Sequence, residues 1–379
     1  MIKFKEVVTA EPMDEFLEHL MSDIYPDDFL VEEAGKVIPI SKHPDTPIAK
    51  VKKAFDHIGE GKNPHTGEAL PDYGSKAYKD MIKNVHARLK EKHGVDPKNL
   101  LAGNHKLQDS TGEHIKTKNG KMIFSQGLSL APAHKIGGVN TCPKATDDCK
   151  KVCLAHTSGA MARSQQVKDA KIRKTEALFG SPEDTALALH HHINKEKKAA
   201  EKAGDYGYSV RMNTTSDIPQ KVYHGLRKAH HDVQFYDYTK EHKQVLDNLA
   251  NKKEPGHKNL HLTFSSTGVN HPESNWHHAA KVLDAGGNVA MVSKSINVRP
   301  GKVAKDHNIL PTIVHDQKTG KHYPTLDGDG RSPDLDGHGD ARFLDKPGHV
   351  AMLHLKGVHP SKAGNFAVAH DPKTRIAHV

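Results

Sequence analysis

Between residues 206 and 355 the chain repeats one pattern, a short β-rich run, a few polar residues and then a helical return, and few folds accommodate it. YGYSVRM precedes a helix near 221–229, VQFYDY one near 240–250, NLHLTF one near 276–285, and NVAMVS a looser segment. Strands also fall at 310–314 and 349–355, and GKMIFSQGL supplies one more before residue 130. β-rich runs alternating with helices are the mark of parallel β-α units. Six or seven such strands predict an α/β protein. We read the fold as a partial, parallel β/α barrel over 99–379, with an open doubly wound sheet as the main competitor.

Residues 1–98 read differently, as a helical N-terminal appendage. Apolar residues from Met13 to Ile24 recur at three-to-four spacing and stop before Pro26, which predicts a helix there. A second helix is predicted near 48–57 and a third over 75–93, where Gly94 stands as its C-cap. Beyond the strand at GKMIFSQGL, two more helices are expected, one ending near 179 and one over Pro182–Ala203.

All three cysteines of the 379-residue chain lie in TCPKATDDCKKVC, spaced C-x6-C-x3-C as Cys142, Cys149 and Cys153. One disulfide would leave a thiol over, and a cluster set among Lys144, Asp147, Asp148, Lys150 and Lys151 does not read as scattered core cysteine. Thiolates are soft ligands, taken most often by zinc and by iron–sulfur clusters, so the three cysteines are predicted metal ligands. Polar residues also follow the strands: Asn213 to Asp217 after VRM, Thr239 and Lys240 after FYDY, Ser265 after LTF, and Lys294 after AMVS. Ligand chemistry in parallel sheets gathers at the carboxyl ends of strands. Ser216 and Asp217 also suit helix N-caps. Arg211 and Lys240 are harder to explain structurally, because a charge ending a β-rich run is seldom buried unpaired.

Composition restricts the setting. The chain is 35% hydrophobic and 27% charged with no apolar run near bilayer length, which predicts no membrane association by a spanning helix. The start, MIKFKEVVTAEPMDEF, has no signal-like apolar region and the cysteine count is odd, so a cytoplasmic setting is expected. A net charge of +9 permits a nucleic-acid partner without requiring one, and nothing in the sequence sets an oligomeric state. The 31 histidines show no H-E-x-x-H pair and read mostly as surface residues.

The blocks VRMNTTSDI, FYDYTK, HLTFS, GGNVAMV, LDGD and DARFLD, in this order and with the cysteine motif, resemble an uncharacterised bacteriophage family, gene product eighty-eight-like, from about 101 to 357. A looser resemblance is to radical S-adenosylmethionine proteins. That resemblance implies a 4Fe-4S cluster on Cys142, Cys149 and Cys153 with S-adenosylmethionine on its open iron. Asn213, Ser216, Ser265 and Lys294 would then bind cofactor, and Arg211, Asp217 and Lys240 would be catalytic. The superfamily's usual spacing is C-x3-C-x2-C, where this chain has C-x6-C-x3-C. The substrate would be a nucleotide, nucleic acid or peptide. The alternative is a zinc-stabilised nucleic-acid-binding protein, with His156 or His134 as a fourth ligand. A phage replication or nicking protein is a third reading. Asp327, Asp329, Asp334, Asp336, Asp340 and Asp345 form an acidic segment able in principle to hold calcium or magnesium.

Overall fold

A computed structural model describes residues 30–33, 36–39, 46–103, 122–133, 139–155, 164–203, 206–268, 274–296, 309–329, 335–339, 342–356 and 360–379. The helix expected between Met13 and Ile24 lies outside them. Two short strands, β1 (Leu30–Glu33) and β2 (Lys36–Pro39), pair antiparallel inside the segment read as helical. Two of the expected helices follow: α1 (Pro47–Gly59), whose N-cap Thr46 accepts the Ala49 N–H, and α2 (Lys76–His93). Ser75 caps α2, and Gly94 ends it in the left-handed region at φ 59°, where a residue without Cβ is favoured.

The sheet begins with β3 (Leu101–Gly103) antiparallel to β4 (Met122–Leu128). A short helix, α3 (Asp147–Lys151), then α4 (Gln165–Gly180) and α5 (Pro182–Ala203) lead to β5 (Tyr206–Arg211). The repeating units follow as α6 (His224–Ala229), β6 (Gln234–Thr239), α7 (His242–Ala250), β7 (Leu260–Ser265), α8 (Trp276–Asp284) and β8 (Asn288–Ile296). The remaining strands are β9 (Ile313–His315), β10 (His322–Asp327), β11 (Val350–Leu355), β12 (Ala367–Val368) and β13 (Ile376–His378). Their order is β13-β9-β10-β11-β8-β7-β6-β5-β4-β3, with β12 on β8. Seven strands, β4 to β8 with β11 and β10, run parallel in the middle. The class is α/β, as expected, and the 11-stranded sheet is open, ending at β13 and β3.

Alternation divides each central strand. Leu128, Val210, Phe235, Leu262, Phe264, Met291 and Met352 enter the main hydrophobic core, while Ser209 and Arg211 alternate with Val210 on β5 and so point to the opposite face. The same core takes in Val51, Phe55, Val85 and Leu89 of α1 and α2 together with Leu187 of α5. The N-terminal helices are thus a layer of the sheet's own body. Sequence reading missed this because an amphipathic stripe shows that a helix is buried and not against what.

The tightest contact in that layer is between α1 and α6, where a Cβ placed on Gly225 would stand 2.1 Å from the Phe55 carbonyl oxygen. Gly225→Ala is therefore expected to lower stability by roughly 1–3 kcal/mol, the usual cost of overpacking. Urea unfolding checks this, and an unchanged midpoint would mean that the two helices do not touch in solution.

Candidate functional site

The carboxyl ends of β4 to β8 carry the polar residues singled out from sequence, and backbone hydrogen bonds bring the cysteine stretch to the same edge. Asp217 N–H donates to Thr141 O at 2.7 Å, Thr214 N–H to Leu128 O at 3.1 Å and Thr215 Oγ1 to Leu130 O at 2.5 Å. The chain leaving β5 is thereby laced to the chain leaving β4.

Asn213 and Ser216 build this loop. Ser216 Oγ and the Ile218 N–H both donate to Asn213 Oδ1, at 2.9 and 3.1 Å, while Asn213 Nδ2 donates to Ile218 O at 2.9 Å. Their polar atoms are thus held within the turn, which leaves little for the cofactor contacts expected of them. The N-cap reading of Ser216 and Asp217 does not hold either, because the following 3-10 turn, Gln220–Tyr223, starts at Pro219 without a side-chain cap.

The turn presents Asp217 to Lys240. Asp217 Oδ2 accepts the Lys240 backbone N–H at 2.9 Å. Burial pushes the Asp217 carboxyl above its ordinary range, against the opposing pull of that N–H, the Thr239 hydroxyl and the charges of Lys240 and Lys144. The Lys240 ammonium donates to Ser265 Oγ at 3.1 Å and lies 5.6 Å from the centre of the Phe366 ring. Lys240 and Ser265, assigned separately from sequence, therefore form one polar contact.

Arg211 is 8% exposed, with Nε 3.7 Å from Asp237 Oδ1 and its guanidinium 4.6 Å from the centre of the Tyr238 ring. Asp237 was not among the residues expected, although it lies in FYDY. Its carboxylate accepts the Asn213 N–H at 2.9 Å and Gln220 Nε2 at 2.8 Å. Burial pushes it up to about 6, even with Arg211, these donors and Arg227 pulling it down. A buried aspartate inside a strand was the available signal, but only the fold supplies its partners. Lys294 is half-buried on β8 and has no hydrogen bond or ion pair among the described residues.

The three thiols do not assemble into one centre. Cys142 Sγ lies 3.8 Å from Thr215 O and 3.9 Å from Thr141 Oγ1. Burial pushes its thiol up to about 12, and the neighbouring Asp217 and Cys149 add to the rise. Cys149 sits in the first turn of α3, its N–H donating to Thr146 Oγ1 at 3.2 Å. Cys153 would share a helical face with Cys149 if α3 continued, but the helix ends at Lys151 and Val152 turns away at φ −105° and ψ 14°. Burial pulls Lys171 below its ordinary range, against the opposing charge of Cys153, and the Lys171 ammonium donates to Ala155 O. Among the described residues no group of three or more His, Cys, Asp or Glu side chains is placed to hold a metal ion. The described residues thus show no ligand group for the 4Fe-4S cluster expected on Cys142, Cys149 and Cys153, and the zinc alternative also involves residues beyond them. His134 and His156 lie outside the described residues.

The acidic segment is likewise divided among basic partners. Asp329 accepts the His354 N–H at 3.0 Å and pairs with Lys356. Burial opposes its ionisation, but His354 and Lys356 outweigh it and hold the carboxyl well below its ordinary range. Asp345 takes His338 Nδ1 at 2.7 Å. Asp329 and Asp345 thus have basic partners, and among the described residues the acids form no group placed to hold calcium or magnesium. Asp334 and Asp340 lie outside the described residues. The edge is closed by a small apolar cluster in which Val152 of the cysteine stretch meets Leu355, Ala363 and Ala367, with Val292 and Phe366 packed on it.

The family described as Gene product 88 matches residues 98–365, in line with the bacteriophage gene product resemblance read from the blocks above. No curated protein and no solved structure matches the chain. Among the described residues no helix is long and apolar enough to cross a membrane.

Proposed function

The chain belongs to the Gene product 88 family, and we propose that it is an enzyme whose active site is the carboxyl edge of the parallel sheet, acting on a nucleotide or nucleic-acid substrate. What carries this reading is a pair of buried carboxylates, Asp217 and Asp237, both raised in pKa by burial and both set beside a cation, Lys240 and Arg211. Raised carboxylates next to fixed cations at the ends of parallel strands suit proton transfer near neutral pH. Lys240, Lys294 and Arg211 supply positive charge for an anionic substrate, and the Tyr238 ring offers a flat apolar surface beside it. Asp217, held by a backbone N–H and close to Lys240, is assigned the proton-transferring role; Asp237 holds Arg211 and the Asn213 turn in place. In this reading the run β4 to β8 is a partial β/α barrel, with the turn after β5 and the cysteine stretch as one wall. The proposal rests on the carboxylates and cations of this edge and draws on neither an iron–sulfur cluster nor S-adenosylmethionine.

Binding of short fluorescent single-stranded oligonucleotides, and turnover of a mixed nucleotide and oligonucleotide panel, test it. Lys240→Ala should weaken binding about tenfold, the loss of one charge-assisted contact. Asp217→Asn should keep binding and lower turnover by about 10²-fold or more. Wild-type binding in both variants with undiminished turnover would place the activity elsewhere.

A further inference from the structure

Away from that edge, a cleft of about 400 Å³ opens between α2 and the start of α5, lined by Asn63, His65, Met81, Asn84, Arg88, Lys92, Asp184 and Leu187. We infer that this cleft is a second binding site, taking the phosphate of a small phosphate ester of nucleoside size, with Arg88 and Lys92 on the phosphate and Met81 and Leu187 beneath the rest of the molecule.

The one acid among the residues that line the cleft is Asp184. Asp184 is 2% exposed and already fully engaged. Arg88 Nε donates to Oδ2 at 3.0 Å, Arg88 Nη2 to Oδ1 at 2.5 Å, and His65 Nε2 meets Oδ1 at 2.7 Å. Burial works against the Asp184 charge, but Arg88 and His65 outweigh it and keep the carboxyl below its ordinary range. The pair fixes the Arg88 fork and leaves Nη1 without a bond among the described residues. A structural clamp accounts for Arg88, His65 and Asp184. It does not account for Asn84 and Lys92, which follow the same stripe of α2 at four-residue spacing, line the cleft and make no hydrogen bond or ion pair among the described residues. Lys92 and the unbonded Nη1 of Arg88 are donors and Asn84 can donate through Nδ2, and a fixed guanidinium beside an ammonium is a phosphate-recognising arrangement. The apolar Met81 and Leu187 give an ester something to cover that inorganic phosphate lacks, and the volume is within the range of small-molecule sites. Residues 63–92 lie outside the family match, while Asp184 and Leu187 lie inside it, so the N-terminal helices add this site to the shared fold.

The inference stands apart from the carboxyl-edge proposal, and its test keeps the two separate. Adenosine monophosphate, adenosine and inorganic phosphate are titrated calorimetrically into the full chain carrying Lys240→Ala, which weakens the sheet edge, and binding at the cleft is recognised by its response to Lys92→Ala. Saturable binding of the monophosphate at millimolar concentration or below is expected, with adenosine at least about tenfold weaker. Adding Lys92→Ala should weaken the monophosphate about tenfold. Lys92 is exposed, so this variant keeps its fold, whereas Arg88→Ala strips a buried carboxylate of its cation and is a poor first choice. No binding, equal binding of adenosine, or binding unmoved by Lys92→Ala would each overturn the inference.

Discussion

Arg227→Leu is expected to cost about 3–5 kcal/mol of stability, the range for removing one partner of a buried charged network. Arg227 is 2% exposed, on the short helix α6. Its Nε donates to Gly256 O at 2.8 Å and its Nη1 to Gln220 O and Oε1 at 3.0 and 3.1 Å. Gln220 passes the contact on, donating through Nε2 to Asp237 Oδ2 at 2.8 Å. Burial pulls the guanidinium down to about 10, with Asp237 working in the other direction, so the group stays charged at neutral pH. Leucine fills part of the volume but leaves Gly256 O, Gln220 O and Gln220 Oε1 without their donor and takes away one of the two cations that act on Asp237. Urea unfolding measures the loss; a loss under about 1 kcal/mol would be that of an ordinary hydrogen bond and would mean the network is not buried in solution. Because Asp237 also holds the N–H of Asn213, the same variant should disturb the turn carrying Asp217.

Acid should unfold the protein well above the range in which its carboxylates titrate. Burial pulls His190 down to about 4, with the charge of His191 adding to it, and pulls His191 to about 4, with His86, His192 and Lys195 adding to it. His230 is likewise held well below its ordinary range, through burial and the charges of His190, Lys197 and His231. His190 Nδ1 stands 3.0 Å from His230 Nε2, and Asn194 Nδ2 lies 3.1 Å from His190 Nε2, so protonating the pair sets two cations in contact. In the unfolded chain these histidines take up protons near 6.5, and in the folded chain His190 and His191 do so only near 4 and His230 well below its ordinary range. The unfolded state therefore binds more protons in that window. Their contribution is complete above pH 6.5 and is lost as the pH falls toward 4, at up to about 1.4 kcal/mol per unit for a fully buried group. Asp237 has the opposite sign: raised from 3.8 to about 6, it adds stability as the pH falls through that range and offsets one histidine in part. Asp184 and Asp329, both lowered, lose theirs only below 3.8. Urea midpoints from about pH 7.5 down to about pH 4.5 should fall steadily, and His190→Gln should flatten the slope. A midpoint that holds or rises on acidification would mean these histidines are solvated.

Local chemistry was legible from residues alone. The three-to-four spacing in α1 and α2, Ser75 and Gly94 as the caps of α2, and the bounds Pro182–Ala203 all follow from propensity and capping. So do the alternating runs that became β5 to β8 and β11, since which face a strand buries is a period-two property of its own residues. The position of polar residues at strand carboxyl ends came with them, whereas the contact of Lys240, just past β6, with Ser265 at the end of β7 came only from the strand pairing.

Everything that depends on which distant segments meet was decided by the tertiary structure. β11 inserts between β8 and β10, and no feature of VAMLHL specifies those neighbours. The spacing of Cys142, Cys149 and Cys153 suggested a shared centre, but spacing alone does not place thiols around one point, and the described residues show no such group. Asp237 becomes a raised carboxylate only where α6, the Asn213 turn and β5 bury it together. The histidine run read as surface became partly core because α5 is covered on one side by α1 and α2. Periodicity and caps act within a turn or a strand, whereas burial, ion pairing and pKa are sums over neighbours supplied by packing, and a chain's own order does not contain those sums.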